Sequence, residues 1–406
     1  MKNLTLLSCS QVELKVIRQK GMSSGEAYTV RGFVASGYES VRAIFEENYQ
    51  LGSEEHSQLC VYVEGEKVVD LWGKFQQNSA FDGDSLINVF SSTKSITSIV
   101  MAMAKDKGWL DYSDKITKHW PEFGVAGKEE ITIVDLMRHE AGLSTLPEPL
   151  NLQDMLPESI KKNQVGEKIA KMTATWPKDG KRAYHALSRG WIANEIFRRA
   201  NPEKLTIGEF VEREVASKLD ASLYIGCSKP NYYTCTHASQ GYVLKESVKK
   251  SLGMKSGVEI SIVNLLKMTY AFFQLKGLNS EIKDMKSALD LSGDGMREVE
   301  IPSANGNCSA RGLALLGAAM ANKGEHQGVQ LLSLATWQEM HADATDGELF
   351  MGIRCPFTQG GIAEFPKGDV REGYYGWLGY GGSVFQWHPE LKIGFAYTCT
   401  LLFPVS

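Results

Sequence analysis

Residues 86–106 read LINVFSSTKSITSIVMAMAKD. Leu86–Phe90 is a short β-rich run that leads through Ser91-Ser92-Thr93-Lys94 into Ile96, Ile99, Val100, Met101 and Met103. That second stretch is apolar nearly all round, which predicts a helix buried in the middle of the fold, with Gly108 as its stop. If Ser91 opens the helix, Lys94 stands one turn on and on the same face, within reach of the hydroxyl. A serine hydroxyl is a weak nucleophile until a base takes its proton. Lysine can be that base where burial disfavours its ammonium. The helix N-terminus adds unpaired N–H groups and a positive dipole end, suited to a developing oxyanion.

Upstream, Val41, Ile44, Phe45 and Tyr49 recur at helical spacing, so Tyr38–Tyr49 reads as an amphipathic helix. Leu59–Val63 and Lys67–Trp72, joined by Glu64-Gly65-Glu66, read as a hairpin. Downstream, Thr132-Ile133-Val134-Asp135 has the form of a capped helix start. Helical patterns then dominate to about residue 345, as in Gly190–Ala200, Ile207–Leu219, Val263–Leu275 and Ala310–Asn322. The final stretch returns to strand character at Gly382–Trp387 and Lys392–Thr400, around the turn His388-Pro389-Glu390. β-rich ends around a helical middle predict one antiparallel sheet built from both ends of the chain, flanked by helices. The expected division is an N-terminal extension over residues 1–35, an α/β sheet domain over 36–145 and 300–406, and a mainly helical lobe over 146–299.

The 406 residues carry 44 basic and 48 acidic side chains, a net charge of −4, and 43% are hydrophobic. That balance excludes disorder, collagen and coiled coil, and without a long Lys/Arg run it argues against nucleic acid as a partner. No window approaches the roughly 18 apolar residues of a membrane span. The apolar patch Leu4–Leu7 is shorter than the about 7–15 residues of a secretory core, so no signal peptide is expected. Seven dispersed cysteines without metal spacing read as reduced thiols in a cytoplasmic protein. Asn3 and Asn307 fit the glycosylation pattern, which matters only for a secreted chain. There is no P-loop, no GxGxxG after a strand and no HExxH, hence no cofactor and no metal are expected. Gly21-Met-Ser-Ser-Gly25 satisfies G-x-S-x-G, but the charged run before it and the missing helical stripe after it argue against Ser23 as a nucleophile. His139 reads as loop packing.

Several segments follow one another in an order that is far more specific than any one of them. They are Phe90-Ser-Ser-Thr-Lys-Ser95, Gly108-Trp-Leu-Asp111, Trp120-Pro-Glu-Phe123, Ile131-Thr-Ile-Val-Asp-Leu136, His139-Glu-Ala-Gly-Leu143 and Tyr184-His-Ala186 before Gly190-Trp191. Asn305-Gly306 ahead of Ser309-Ala-Arg-Gly-Leu313, and Trp377-Leu-Gly-Tyr-Gly-Gly-Ser383, complete the set. The succession resembles the serine β-lactamase and penicillin-binding-protein superfamily, nearest to the class C β-lactamase-like esterases (family VIII carboxylesterases), from about Leu59 to Tyr397. The resemblance implies a β-lactamase/transpeptidase-like α/β (α+β) fold. It implies Ser91 as acyl-accepting nucleophile, Lys94 as its partner and Tyr184 as the tyrosine of a Tyr-x-Asn element, with the proton taken by either Lys94 or Tyr184. It also implies an oxyanion hole of the backbone N–H groups of Ser91 and Tyr380, with Trp377 and Gly379 at the substrate pocket; His185, beside Tyr184, is expected to line that pocket too.

Two departures bear on substrate. Ala186 stands where the lactamases carry Asn, and Trp377-Leu378-Gly379 stands where they carry Lys-Thr-Gly. An amide and a cation that would meet a β-lactam are missing, and an indole supplies an apolar wall with one N–H donor. The expectation is therefore a serine hydrolase of uncharged carboxylic esters, a small-molecule substrate, with no nucleic acid partner and no membrane span and the oligomeric state open. The rivals are an acyltransferase using the same acyl-enzyme, a weak β-lactamase or peptidase, and a non-catalytic binding protein retaining the fold.

Overall fold

The structure is a computed structural model; it describes residues 28–50, 54–75, 79–175, 182–227, 229, 232–237, 248, 251–252, 281–350 and 353–402. Ser23 with its G-x-S-x-G stretch, Cys9, Asn3 and the helix expected over Val263–Leu275 lie outside the described residues.

Six antiparallel strands form the main sheet. They are β1 (Thr29–Val34), β2 (His56–Val63), β3 (Glu66–Lys74), β10 (Tyr375–Leu378), β11 (Val384–His388) and β12 (Ile393–Cys399). Their order is β1-β3-β2-β12-β11-β10, so the hairpin from the start of the chain joins the meander from its end along β2 and β12. In that central register Ser57 lies opposite Cys399 and Val63 opposite Ile393. The extension expected over residues 1–35 does not stay outside the sheet, because Thr29–Val34 pairs along β3 from Lys74 to Val69. A charge-bearing edge strand with only weak alternation leaves little sequence signal.

Helix α5 (Ala310–Ala321) packs on β2, β11 and β12. The approach is so close that a Cβ on Gly394 would stand 2.3 Å from Ala318 N, which requires glycine there. Helix α1 (Glu39–Gln50) packs on β1 and β3, burying Phe45 and Tyr49. Both helices fall within a residue or two of the sequence expectation.

The helix that decides the fold is α2 (Thr93–Asp106), buried at every position from Thr93 to Ala104. Gly108 ends it with φ of 70°, Trp109 N–H bonding Ala104 O and Gly108 N–H bonding Lys105 O, a Schellman stop. Strand β4 (Leu86–Asn88) precedes it in a small sheet with β5 (Leu223–Ile225), β6 (Tyr232–Tyr233) and β7 (Gly306–Cys308), in the order β5-β7-β4-β6. Helix α3 (Ile133–Met137) opens on the expected capping box of Thr132 and Asp135. Helix α4 (Ser188–Ala200) lies against α2 with Trp191 and Arg189 fully buried.

The middle of the chain is less regular than its helical pattern predicts. Ile207–Leu219 is three pieces, a short helix to Phe210, a π-helical run Val211–Ala216 and a last turn to Leu219. Strands β5 and β6 also come from this region. A hairpin missed by the sequence reading, β8 (Glu348–Phe350) and β9 (Ile353–Arg354), stands before β10.

Candidate active site

Ser91 sits not in α2 itself but in the 3-10 turn Phe90–Ser92 that enters it. Phe90 has φ of 45°, an unfavourable conformation for a bulky side chain. Surrounding bonds hold it there. Asn88 Oδ1 accepts from Phe90 N–H at 2.7 Å, Thr93 Oγ1 donates to Phe90 O at 2.5 Å, and Gly306 O accepts from Val89 N–H at 2.8 Å. The turn therefore presents the Ser91 hydroxyl, itself partly exposed, at the start of a buried helix.

Lys94 follows on the next turn, 3% exposed. Its Nζ lies 3.3 Å from Ser91 Oγ and donates to Ala186 O at 2.7 Å and to Ser303 O at 3.0 Å. Burial, helped by the neighbouring Arg189 guanidinium and opposed by Glu281, holds its pKa well below that of an ordinary lysine. Tyr184 completes the group, its hydroxyl donating to Ser91 Oγ at 2.7 Å and accepting from Trp377 Nε1 at 3.3 Å. The Lys94 ammonium position is 4.7 Å from the Tyr184 ring centroid. Burial raises the Tyr184 pKa against the lowering effect of those two hydrogen bonds, so the phenol carries its proton at neutral pH.

Tyr184 is placed by backbone and charge. Its N–H bonds Leu349 O at 3.1 Å, hooking it to strand β8. Arg182, two residues earlier, pairs with Glu140 and donates to Cys355 O at 2.7 Å. Leu349, Cys355, Phe357 and Ala363 form an apolar cluster on which Tyr184 and Trp377 pack, with the Phe357 and Trp377 rings 5.4 Å apart.

Strand β10 lies directly against the Phe90–Ser92 turn. Ser92 Oγ donates to Trp377 O at 3.3 Å, and Ser383 Oγ donates to Val89 O at 2.8 Å. Gly379 is required there, because a Cβ would stand 2.3 Å from Val89 O and 1.9 Å from Ser383 Oγ. The Phe90 and Tyr380 rings meet edge to face at 5.7 Å, so Tyr380 stands beside the turn that carries Ser91.

His185 does not line the opening. It is 0% exposed, and both ring nitrogens serve the backbone: Nδ1 donates to Ala183 O at 2.6 Å and Nε2 accepts from Leu143 N–H at 2.9 Å. Burial drives its pKa down to about 4, a neutral imidazole that fastens two loops. His139 is also buried, with φ of 65°, and accepts from His185 N–H at 3.0 Å while its ring contacts Tyr184 and Phe357. Ala186 and Ser303 act through carbonyl oxygens, which side-chain patterns cannot reveal. The Phe357 wall and Arg189 also went unrecognised in the sequence; an arginine inside the apolar stretch before Trp191 was the available signal. Among the described residues no three His, Cys, Asp or Glu side chains gather as a metal-binding group. No helix among them is long and apolar enough to cross a membrane.

Chemically, a hydroxyl bonded to a phenol on one side and a desolvated amine on the other can lose its proton and receive an acyl group. The family model described as Beta-lactamase matches residues 44–406. The chain is 28% identical over 346 residues to a protein described as esterase/beta-lactamase LipL of Mycobacterium tuberculosis, covering 83% of this chain and 75% of that one. The solved structure of a penicillin-binding protein homologue from Caulobacter crescentus is 25% identical with a TM-score of 0.73, covering 93% of this chain and 95% of its own. A family VIII carboxylesterase is 24% identical with a TM-score of 0.74, over 92% of this chain and 94% of its own.

Proposed function

We propose that this chain, which belongs to the Beta-lactamase family, is a serine hydrolase that cleaves carboxylic esters through an acyl-enzyme on Ser91. The observation that carries this reading is the continuous contact from Tyr184 Oη to Ser91 Oγ at 2.7 Å and on to Lys94 Nζ at 3.3 Å. The hydrogen bonds also favour Lys94 over Tyr184 as the first base. A neutral amine has two N–H groups, which the carbonyls of Ala186 and Ser303 take up, leaving its lone pair toward Ser91 Oγ. Tyr184, keeping its proton, is then the acid.

In this mechanism the Ser91 proton passes to Lys94 as Oγ attacks the ester carbonyl. The backbone N–H groups of Ser91 and Tyr380 hold the oxyanion. As the carbon–oxygen bond breaks, Tyr184 gives its proton to the leaving alkoxide, and the Lys94 ammonium stabilises the phenolate left behind. Water then loses a proton to that phenolate and attacks the acyl group. Lys94 returns its proton to Ser91 Oγ, the acid departs, and the site is restored.

Substrate preference follows from the walls. Trp377 and the cluster of Leu349, Cys355 and Phe357 offer apolar surface, with an indole where the lactamases carry a lysine, which suits an uncharged ester of a small to medium acid. The six described cysteines are buried free thiols, which supports a reducing, cytoplasmic setting. The test is a fluorophosphonate read by intact mass and peptide mapping. One adduct on Ser91, absent from the Ser91→Ala protein, is expected. Labelling at Ser23, or equal labelling of both proteins, refutes the assignment.

A further inference from the structure

Arg189 is 1% exposed, on the first turn of α4 behind the Lys94 side of α2. Its Nη2 donates to Ser98 Oγ at 2.6 Å and to Gly361 O at 3.1 Å, and lies 3.9 Å from Met137 Sδ. None of these partners is anionic, and among the described residues Arg189 makes no ion pair. Ser98 is four residues after Lys94 on α2, which puts the two side chains on one helix face a turn apart. From the other side, Lys94 bonds Ala186 O, three residues before Arg189. Two buried basic side chains thus meet α2 at positions one helical turn apart, close enough for Arg189 to act on Lys94, an arrangement that is costly unless one of them gives up its charge. Arginine does not deprotonate in a protein, so the lysine yields.

We propose that Arg189 is a positioning residue, a fixed buried charge that keeps the Lys94 amine unprotonated at neutral pH and so ready to take the Ser91 proton. This rests on the acyl-enzyme reading above and adds the origin of the base. Among the described residues five groups face the pair. Glu281, whose burial raises its pKa well above that of an ordinary carboxyl, opposes Arg189 at Lys94. Tyr184 and Tyr112 approach the guanidinium, and His139 and His185 stand under the field of both cations, each pushed toward the neutral form first by burial.

The rival role is mechanical. A Cβ on Gly361 would stand 2.5 Å from Arg189 Nη2, so the arginine also braces the segment that carries Phe357 and Ala363. The two roles separate in the pH profile of kcat/KM. Removing the charge in Arg189→Gln moves the acid limb up by about one to two pH units, lowering activity roughly 10- to 100-fold at a pH on the wild-type limb while alkaline pH restores it. Ser98→Asp keeps the guanidinium and puts a carboxylate beside it, so its limb also rises; this variant decides the matter if Arg189→Gln does not fold. An acid limb that stays in place in either folded, charge-neutralised protein overturns the proposal, even if overall activity falls. Fluorophosphonate labelling of the wild type keeps the two claims apart. A Ser91 adduct with an unmoved limb refutes only the role of Arg189, whereas no Ser91 adduct refutes the acyl-enzyme itself.

Discussion

Tyr184→Phe removes a single oxygen from the centre of the site and leaves the ring. The hydroxyl donates to Ser91 Oγ at 2.7 Å and accepts the Trp377 indole N–H at 3.3 Å, so the cost to stability is that of two ordinary hydrogen bonds, about 1 kcal/mol each. The fold survives this, and thermal melting should show it. The kinetic cost is larger and selective. Positioned general acid catalysis contributes about 10²–10⁴-fold, or about 3–5 kcal/mol of transition-state stabilisation. It is needed only where the leaving group cannot depart as an anion. The assay compares an alkyl ester and a nitrophenyl ester of the same acid, which share one acyl-enzyme. For the alkyl ester kcat/KM should fall by about 10³-fold, and for the nitrophenyl ester by no more than about tenfold. Because the phenolate is also the base for water, the nitrophenyl ester should release a stoichiometric burst of nitrophenolate followed by slow turnover. Equal losses for both esters, or a burst-free trace with wild-type turnover, would refute the assignment of Tyr184 as proton donor.

The apolar walls predict that a chromogenic short-chain ester turns over at least about tenfold better than a chromogenic cephalosporin, and comparable kcat/KM values would contradict the reading of Trp377 and Ala186. Gly379→Ala forces a methyl group against Val89 O and Ser383 Oγ, so strand β10 must move away from the nucleophile turn; the expected loss in kcat is about 10²-fold, and near-normal turnover would show that Tyr380 N–H does not hold the oxyanion. His185, buried neutral with its pKa down at about 4, binds no proton in the fold where the unfolded chain does, so its contribution is full above the unfolded value and is lost as pH falls toward 4. The loss amounts to about 3 kcal/mol, and NMR should find the imidazole uncharged until near that pH. An added alcohol or amine tests acyl transfer: hydrolysis should remain the faster fate of the acyl-enzyme, measured as the ratio of acid to transferred product.

Much of this arrangement was legible in the chain. The apolar surround of Ile96–Met103 announced α2, the spacing of Ser91 and Lys94 placed both at its start, and Thr132 with Asp135 marked α3. Those features are local, and local chemistry decides them. What escaped reading depends on contacts distant in sequence. Thr29–Val34 looks nondescript because an edge strand needs only a backbone partner. The π-helical run Val211–Ala216 interrupts a stripe whose periodicity continues across it. Ala186 appeared only as a lost amide, whereas its carbonyl oxygen holds Lys94. His185 was placed in the pocket by adjacency to Tyr184, but its ring turns into the body, where Ala183 O and Leu143 N–H hold it.

The pairing of Ser57 with Cys399 and Val63 with Ile393 bears on how the enzyme is made. A ribosome delivers β2 and the Phe90–Ser92 turn more than 280 residues before the strands that flank them. Until β10–β12 emerge, β2 has an open edge, and Ser91 lacks both the Trp377 and Tyr380 side of its site. Contacts of such long range are formed late and slowly, so the nascent chain is exposed to association during synthesis. On the proposed mechanism the same delay is a safeguard, since an unfinished chain carries Ser91 in an unassembled and harmless site.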